Sequence, residues 1–317
     1  MQLSTVFNSI TLIGMMIVIG VALARVTPIN ESTKKTYTLL IVNVAMPCII
    51  LSSIFKVNID QSMLRNIGIV LILSVVINTI GIGIGWVFAS SFSGNRRLRQ
   101  EIALLSGLGN TGFIGIPLCA AILGPEGALY AAIFDAGVDI VIWTVGVMIL
   151  KNSYAFSIVN IKSLINIPIV AIIVGLLCTF INYRPPEIFI DLSNQLAALA
   201  SPLAMFYIGL LIMSKSENKS AIKTTNVNIF SPIFSKLVVL PIITLSIISI
   251  LPIQMDVMIN KVLLIQAMMP SLTLASILFT KYSKDEVFGA FATVMSTIIS
   301  LVTIPSLILI FIKFKYM

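Results

Sequence analysis

The chain has 317 residues, of which 58% are apolar and 10% are charged, and its mean hydropathy is +1.08. A soluble domain of this length needs far more charge to cover its surface, so the composition excludes one. The formal net charge of +8 does not indicate nucleic acid binding, because no basic helix or basic patch with interleaved aromatic residues occurs. The composition predicts an all-α polytopic protein embedded in a lipid bilayer.

Ten apolar segments follow one another along the chain, joined by short polar connections. Each segment is close to the roughly 20 residues that a helix needs to cross the hydrocarbon core, and only helices satisfy the backbone groups of such segments. The first segment lacks the basic flank of a signal peptide, so we expect it to be retained. The predicted membrane helices, numbered here as spans one to ten, are 7–25, 36–55, 67–92, 101–123, 127–150, 164–182, 188–213, 230–251, 258–280 and 286–312.

Lysine and arginine are distributed unequally among the predicted loops. The odd-numbered loops hold 13 of these residues, whereas the even-numbered loops and the two ends together hold 6. Positive charge is retained on the cytoplasmic side of a membrane. The bias therefore predicts a multi-pass protein of the plasma or inner membrane with both termini outside.

Ten spans divide into two units of five, residues 1–150 and 151–317. A unit with an odd number of spans enters the membrane in the opposite sense when it is repeated. The stretch 103–127 aligns without a gap with 262–286, and both carry helix-breaking residues in the middle of an apolar run. This correspondence predicts two inverted five-helix repeats in which spans four and nine are broken and cross each other.

Helix-breaking residues are concentrated at two places in these spans. Glycine is unfavourable in a helix and proline removes a backbone donor, so the glycines of span four and Pro117 predict an interruption near 109–117. Pro270 predicts the matching break in span nine. Glycine-mediated helix packing and an ordinary proline kink are the alternative explanation of the same residues.

A broken helix presents the free N–H groups of its second half, and with them a partial positive charge, inside the membrane. Two such breaks that cross at the midplane form a site suited to a small organic anion. No cofactor and no metal ion are expected. The predicted substrate-binding residues all lie at the two breaks: Asn110, Thr111, Gly112, Pro117, Gln266, Pro270 and Ser271.

Three ionisable residues lie well inside the predicted spans: Asp135, Asp139 and Lys236. Asp135 and Asp139 are four residues apart and therefore share one helical face. The chain has no histidine, so a carboxylate is the expected carrier if transport is coupled to a proton, and sodium is the other coupling ion considered. A structural pair between an aspartate and Lys236 is the competing interpretation.

Three other classes of function compete with anion transport. An intramembrane aspartyl protease needs aspartates on facing helices, whereas these two share one helix, and no HExxH or GxSxG motif occurs, so no enzyme is predicted. Two alternatives stay open: a cation/proton antiporter that uses Asp135 and Asp139, and a membrane sensor that binds without transporting. Assembly into a homodimer also stays open.

Gly81, Gly83 and Gly85 resemble a nucleotide-binding GxG motif. They predict close helix packing instead, because no βαβ unit follows them.

The stretch NTGFIGIPLCAAILGPEGALYAAIFDAGVDIVIWTVGVMIL resembles the auxin efflux carrier family, with Asn110 and Gly115-Ile116-Pro117 matching its Asn-x-x-x-x-Gly-Ile-Pro core. LLIVNVAMPCIILSSI is similar to that family's second span and QAMMPSLTLASILF to its ninth. The family includes plant auxin exporters and bacterial dicarboxylate permeases. The resemblance implies a fold related to bile-acid transporters and sodium/proton antiporters, and a small organic anion such as a carboxylate, a dicarboxylate or an auxin-like molecule as substrate.

The charge bias generates a direct test of topology. Cysteines introduced as Pro125→Cys and Pro186→Cys, in a parent whose three native cysteines are replaced by alanine, should react with a membrane-impermeant thiol reagent in intact cells. Lys219→Cys should react only after the membrane is opened, because its loop is predicted to be cytoplasmic. Labelling of Lys219→Cys in intact cells would reverse the proposed orientation.

Overall fold

The structure is a computed structural model, and it describes residues 3–26, 30–57, 59–92, 94–151, 165–216, 229–251, 255–275, 278–279 and 286–313. Part of the second half of predicted span nine and the loop that contains Lys219 lie outside these ranges. Within them every regular element is a helix, apart from one isolated antiparallel bridge between Gly109 and Ser271. The all-α prediction is confirmed for this part of the chain.

We number the helices of the described residues α1 to α11, and several of them contain a short π-helical turn. The bounds are α1 Leu3–Val26; α2 Glu31–Leu40, Ile41–Ala45 (π) and Met46–Lys56; α3 Gln61–Phe92; α4 Arg96–Gly107; α5 Thr111–Gly115 (π), Ile116–Val141, Ile142–Gly146 (π) and Val147–Lys151; α6 Ile167–Phe180; α7 Glu187–Ala198; α8 Ala200–Ser216; α9 Phe230–Phe234, Ser235–Val239 (π) and Leu240–Ile250; α10 Val257–Ala267; and α11 Glu286–Lys313.

Length and composition identify the helices that can cross a membrane. Six stretches of the described chain are long and apolar enough, and three shorter apolar helices accompany them. The long stretches are Ser32–Lys56, Gln61–Ser91, Thr111–Lys151, Glu187–Leu210, Phe230–Ile250 and Phe288–Lys313, and the shorter ones are Gly14–Val26, Ile167–Phe180 and Val257–Ala267. The chain is therefore a multi-pass membrane protein.

Side-chain caps explain where five of the helices begin. At each of these positions an Asn or Asp oxygen accepts a hydrogen bond from a backbone N–H of the first turn, at 2.8 to 3.0 Å. Such a bond satisfies one of the amides that the first helical turn leaves unpaired. The capping residues are Asn30, Asp60, Asn95, Asn166 and Asp256.

Three of the four π-helical turns end two residues before a proline, namely Pro47, Pro117 and Pro241. A proline ring inside a helix clashes with the carbonyl four residues earlier and leaves it without a donor. The wider π turn gives the ring room, and the residue before each proline donates its N–H to the carbonyl five residues back. The helix consequently continues through Pro117, and the predicted interruption at 109–117 is confined to residues 108–110.

The helical stretch Thr111–Lys151 contains 41 residues and bends at Gly124, whose φ is 75° and ψ is −163°. This left-handed backbone conformation favours glycine, and Pro125 then starts the next arm. At about 1.5 Å per residue the stretch would extend roughly 60 Å, twice the thickness of the hydrocarbon core. The bend falls where the sequence predicts the turn between spans four and five.

The helices pack in two groups. One group contains α1, α2, α6, α7 and α8, and the other contains α3, α4, α5, α9 and α10. In the first group α1 and α8 approach so closely that Gly20 lies against the backbone of Phe206 and Gly209 against that of Ile17. Helix α11 contacts members of both groups, and α5 meets α2 and α8. The boundary between the groups therefore runs past α5 and α11.

Glycines of α3 determine its approach to α4. A Cβ atom at Gly81 would lie 2.8 Å from the Cα atom of Gly107, and one at Gly85 would lie 2.5 Å from the Cβ atom of Ser106. Gly83 is exposed, and a Cβ there would meet nothing within 4 Å. The predicted close packing is therefore correct for Gly81 and Gly85 and wrong for Gly83, because residues two apart point to different sides of a helix.

This geometry predicts the effect of enlarging each glycine. Gly81→Leu and Gly85→Leu should each lower the free energy of unfolding by about 1–3 kcal/mol, since the added atoms overpack the contact between α3 and α4. Gly83→Leu is the matched control and should leave it unchanged. Denaturation of the purified protein in detergent checks this, and equal effects at all three positions would contradict it.

Candidate functional site

Two unwound segments cross in the middle of the protein. Helix α4 ends at Gly107 and α5 begins at Thr111, while α10 ends at Ala267. Between them the chains pair in antiparallel fashion: the N–H of Asn110 donates to the Pro270 carbonyl at 2.7 Å, and the N–H of Leu272 donates to the Leu108 carbonyl at 3.1 Å. Each break therefore satisfies backbone groups of the other, as irregular backbone at membrane depth requires.

The start of α5 supplies a partial positive charge at this crossing. The first amides of the helix, at Thr111, Gly112 and Phe113, have no acceptor within the helix itself. Together with the helix dipole they favour a negative group placed at this end. Asn110 is the residue immediately before them and is 5% exposed.

Lys236 also lies at the crossing and is 1% exposed. Its ammonium donates to the carbonyl of Ala267, the last residue of α10, at 3.2 Å. A Cβ at Gly109 would lie 3.0 Å from its Nζ atom, so the lysine also packs against the α4 break. A cation at a helix C-terminus is favourable. Among the described residues Lys236 makes no ion pair with Asp135 or Asp139, so the alternative of such a pair is not supported.

A narrow cleft opens beside Asn110. Its volume is about 10 Å³, and it lies between the crossing, α8 and α11. The Nδ2 atom of Asn110 donates to the hydroxyl of Thr273 at 2.5 Å, so these two polar groups share the cleft. The residues that line it are Asn110, Phe113, Tyr207, Ile208, Thr273, Thr293, Val294 and Thr297.

Ser271 and Gln266 connect the crossing to neighbouring helices through hydrogen bonds. The amide of Ser271 donates to the Ser296 hydroxyl at 3.1 Å, and its own hydroxyl donates to the Leu105 carbonyl at 3.0 Å. Gln266 is fully buried, its Nε2 atom donates to the Ala131 carbonyl at 3.2 Å, and its Oε1 atom has no hydrogen-bond partner. Both side chains are turned toward neighbouring helices, and neither lines the cleft.

The Oε1 atom of Gln266 lies against Gly115, where a Cβ atom would collide with it. Pro117 is buried inside α5 behind the π turn. Pro270 contributes its carbonyl to the crossing. All of the residues that the sequence predicts for the site thus lie at or near the crossing. Of these, only Asn110 lines the cleft.

The two aspartates of α5 have separate partners. The hydroxyl of Thr111 donates to Oδ1 of Asp135 at 2.5 Å, and Oδ2 of Asp135 lies 2.8 Å from the position of a Cβ at Gly112. The Nδ2 atom of Asn166, which caps α6, donates to Oδ2 of Asp139 at 2.5 Å. Asp135 is therefore bound to the residue next to Asn110, whereas Asp139 is bound to the start of α6.

Several residues that line the cleft are not predicted from the sequence, because they come from helices distant in the chain. Tyr207 stacks on Phe113 at 6.1 Å and on Tyr37 at 6.2 Å between ring centroids. Thr293 and Thr297 lie on α11, where hydroxyl residues recur at three- and four-residue intervals in an apolar run. That polar stripe is a signal that would have pointed to α11 as a lining helix.

Comparison with known sequences identifies the family of the chain. The family described as "Membrane transport protein" matches residues 5–308 of the chain. A protein named "Uncharacterized transporter" from Methanothermobacter thermautotrophicus is 23% identical over 293 residues, which are 92% of this chain and 93% of that protein. The match covers the crossing, both aspartates and the cleft. The chain therefore belongs to the membrane transport protein family, that of the auxin efflux carriers, and is a membrane transporter.

Proposed function

We propose that the protein is a secondary active transporter that carries a small organic anion across the plasma or inner membrane, coupled to a proton or another cation. The observation that carries this proposal is the position of Asn110, which lines a cleft at the point where two broken helices cross. Broken helices at the membrane midplane are the usual place for substrate in such transporters.

Ten membrane spans in two inverted repeats, 1–150 and 151–317, are part of this proposal. The bend at Gly124 supports them, since it divides a stretch long enough to cross the membrane twice. The antiparallel pairing of Gly109 with Ser271 also fits, because it joins the breaks of the two units. The charge bias of the loops supports an orientation with both termini outside.

The chemistry of the cleft suits one anionic group. Among the described residues no lysine or arginine lines it, so we expect the attraction to come from the amides at the start of α5 and from polar side chains. Asn110 uses one N–H on Thr273, which leaves its second N–H and the Thr273 hydroxyl proton for a ligand. A carboxylate bound there would receive charge-assisted hydrogen bonds.

Coupling is proposed to run through Asp135. A hydrogen bond to a charged carboxylate is stronger than one to a neutral carboxyl group. Protonation of Asp135 would therefore weaken its hold on Thr111, the neighbour of Asn110, and so link proton binding to the substrate cleft. Asp139 shares the helix face but acts on Asn166, which places it between α5 and α6.

Cation/proton antiport through Asp135 and Asp139 is the second candidate. It is favoured by one observation: within the described residues neither carboxylate has a lysine or arginine partner, so each can receive a cation. Flux measurements in proteoliposomes separate the two, because an antiporter moves sodium or another cation without any organic anion present. A sensor would bind ligand without flux.

Asn110→Ala tests the substrate site. Loss of a hydrogen bond to a charged ligand costs about 1.5–3 kcal/mol, so affinity for a bound carboxylate should fall about tenfold or more. Titration calorimetry of the purified protein with a panel of carboxylates measures this. Asn66→Ala, which removes a buried asparagine that donates to Tyr130 outside the cleft, should bind normally. Normal binding by Asn110→Ala would place the site elsewhere.

Asp135→Asn tests the coupling centre. The variant mimics the protonated carboxyl group with little change of shape, so it should keep substrate exchange but lose accumulation driven by a pH gradient. Thr111→Val, which removes the hydroxyl that reaches Asp135, should weaken the same coupling. Uptake into proteoliposomes with and without a gradient measures both. Gradient-driven uptake that survives in Asp135→Asn, in Asp139→Asn and in the double variant would end the proposal.

A further inference from the structure

A side-chain hydrogen bond joins the two groups of helices. Asp139 belongs to α5 in the second group, and Asn166 is the residue immediately before α6, which packs mainly against α2 in the first group. The Nδ2 atom of Asn166 donates to Oδ2 of Asp139 at 2.5 Å, and the bond is partly buried. It therefore connects two sets of helices across the boundary between them.

Asn166 bonds to two elements with one side chain. Its Oδ1 atom accepts the N–H of Ile169 at 2.9 Å, which caps the first turn of α6, while its Nδ2 atom meets the carboxylate of Asp139. These two partners fix the orientation of the amide group, because a backbone N–H needs an oxygen and a carboxylate needs a donor. The start of α6 is thereby tied to the position of Asp139 on α5.

Comparable side-chain bonds lie within one group. Ser52 of α2 donates to Oδ1 of Asn194 on α7 at 2.6 Å, inside the first group. Ser74 of α3 donates to the Phe134 carbonyl of α5 at 2.6 Å, inside the second group. Bonds of this kind can persist when one group shifts against the other, whereas the bond between α5 and α6 would have to break.

The charge of the acceptor gives the bond between α5 and α6 its strength. A hydrogen bond to an ionised carboxylate is about twice as strong as one between neutral groups. Asp135, one turn away on the same helix face, is bound by the hydroxyl of Thr111, so Asn166 has Asp139 as its acceptor. A bond that forms in one arrangement of the helices favours that arrangement by the free energy it contributes.

We infer that Asp139 and Asn166 are positioning residues that form a latch, which holds the two groups of helices together in this arrangement. The inference concerns the movement of the protein and goes beyond the substrate site and the coupling proposed above. A carrier must expose its site to the two sides of the membrane in turn. The latch opens when α5 moves away from α6, and its loss favours the arrangement in which the two helices are apart.

Asn166→Asp separates the latch from the helix cap. Aspartate caps helices as well as asparagine does, so its oxygen still accepts the Ile169 N–H. It has no N–H to donate, however, and its carboxylate repels that of Asp139. The double exchange, Asp139→Asn with Asn166→Asp, restores the bond in the reverse direction, because the new amide on α5 can donate to the new carboxylate before α6.

The experiment measures the distance between the two groups in the purified full-length protein by double electron–electron resonance. Spin labels are attached at Val87→Cys on α3 and Val174→Cys on α6, in a parent whose three native cysteines are replaced by alanine. The two valines are 67% and 45% exposed and belong to different groups, so the labels report on movement without disturbing the packing. The parent should show one predominant distance.

In Asn166→Asp the population at a second distance should rise about tenfold, since a hydrogen bond to a charged group is lost. Asp139→Asn leaves a weaker, neutral bond and should shift the population in the same direction by less. The double exchange should return the distribution to that of the parent. Ser52→Ala is the matched control, because it removes a bond within the first group and should leave the distribution unchanged.

Two results would overturn the inference. One is an unchanged distance distribution in Asn166→Asp, and the other is a shift that the double exchange does not reverse. If Asn166→Asp does not fold, Asp139→Asn and the double exchange are compared in the same way. The measurement is made without ligand, so it is independent of the proposed substrate site, whose failure appears instead as normal carboxylate binding by Asn110→Ala.

Discussion

The rest of this structure depends on the hydrogen bonds between two interrupted helices. A break in a membrane helix frees peptide groups that no water can satisfy, and each such group costs several kcal/mol. Here the amide of Asn110 and the carbonyl of Leu108 are satisfied by Pro270 and Leu272 of the other break. Neither break could satisfy its own peptide groups alone. Their hydrogen bonding to each other therefore holds both breaks at one point inside the bundle.

The polar residues around this point divide into two kinds. Ser271 forms hydrogen bonds to other protein groups through both its amide and its hydroxyl. Lys236 donates a hydrogen bond to the carbonyl of Ala267 at the C-terminal end of α10. These residues hold the crossing together. Asn110 and Thr273 bond mainly to each other and face the cleft, so they retain the capacity to bind a ligand. The crossing can therefore be held rigid by one set of polar residues while the other set keeps its hydrogen-bonding groups for a ligand.

The cleft also lies where the two groups of helices meet. Tyr207 and Ile208 come from α8 in one group, whereas Asn110 belongs to the other, and Thr293 comes from α11 between them. A ligand bound at such a boundary contacts both groups at once. If the proposed repeats move against each other, as is usual for alternating access in transporters with internal repeats, that movement would expose the proposed site to either side.

The sequence alone determined the helical membrane class, the family and the places where helices break, because run length, glycine and proline act locally. It placed Asn110 and Pro270 at the breaks but extended the first interruption to Pro117, where a π turn in fact keeps the helix intact. Only the tertiary structure decided the partner of each polar group. Asn110 and Thr273 are 163 residues apart, and Lys236 could equally have paired with an aspartate. Such choices depend on which helices pack together, and that is a property of the whole bundle and not of any one segment.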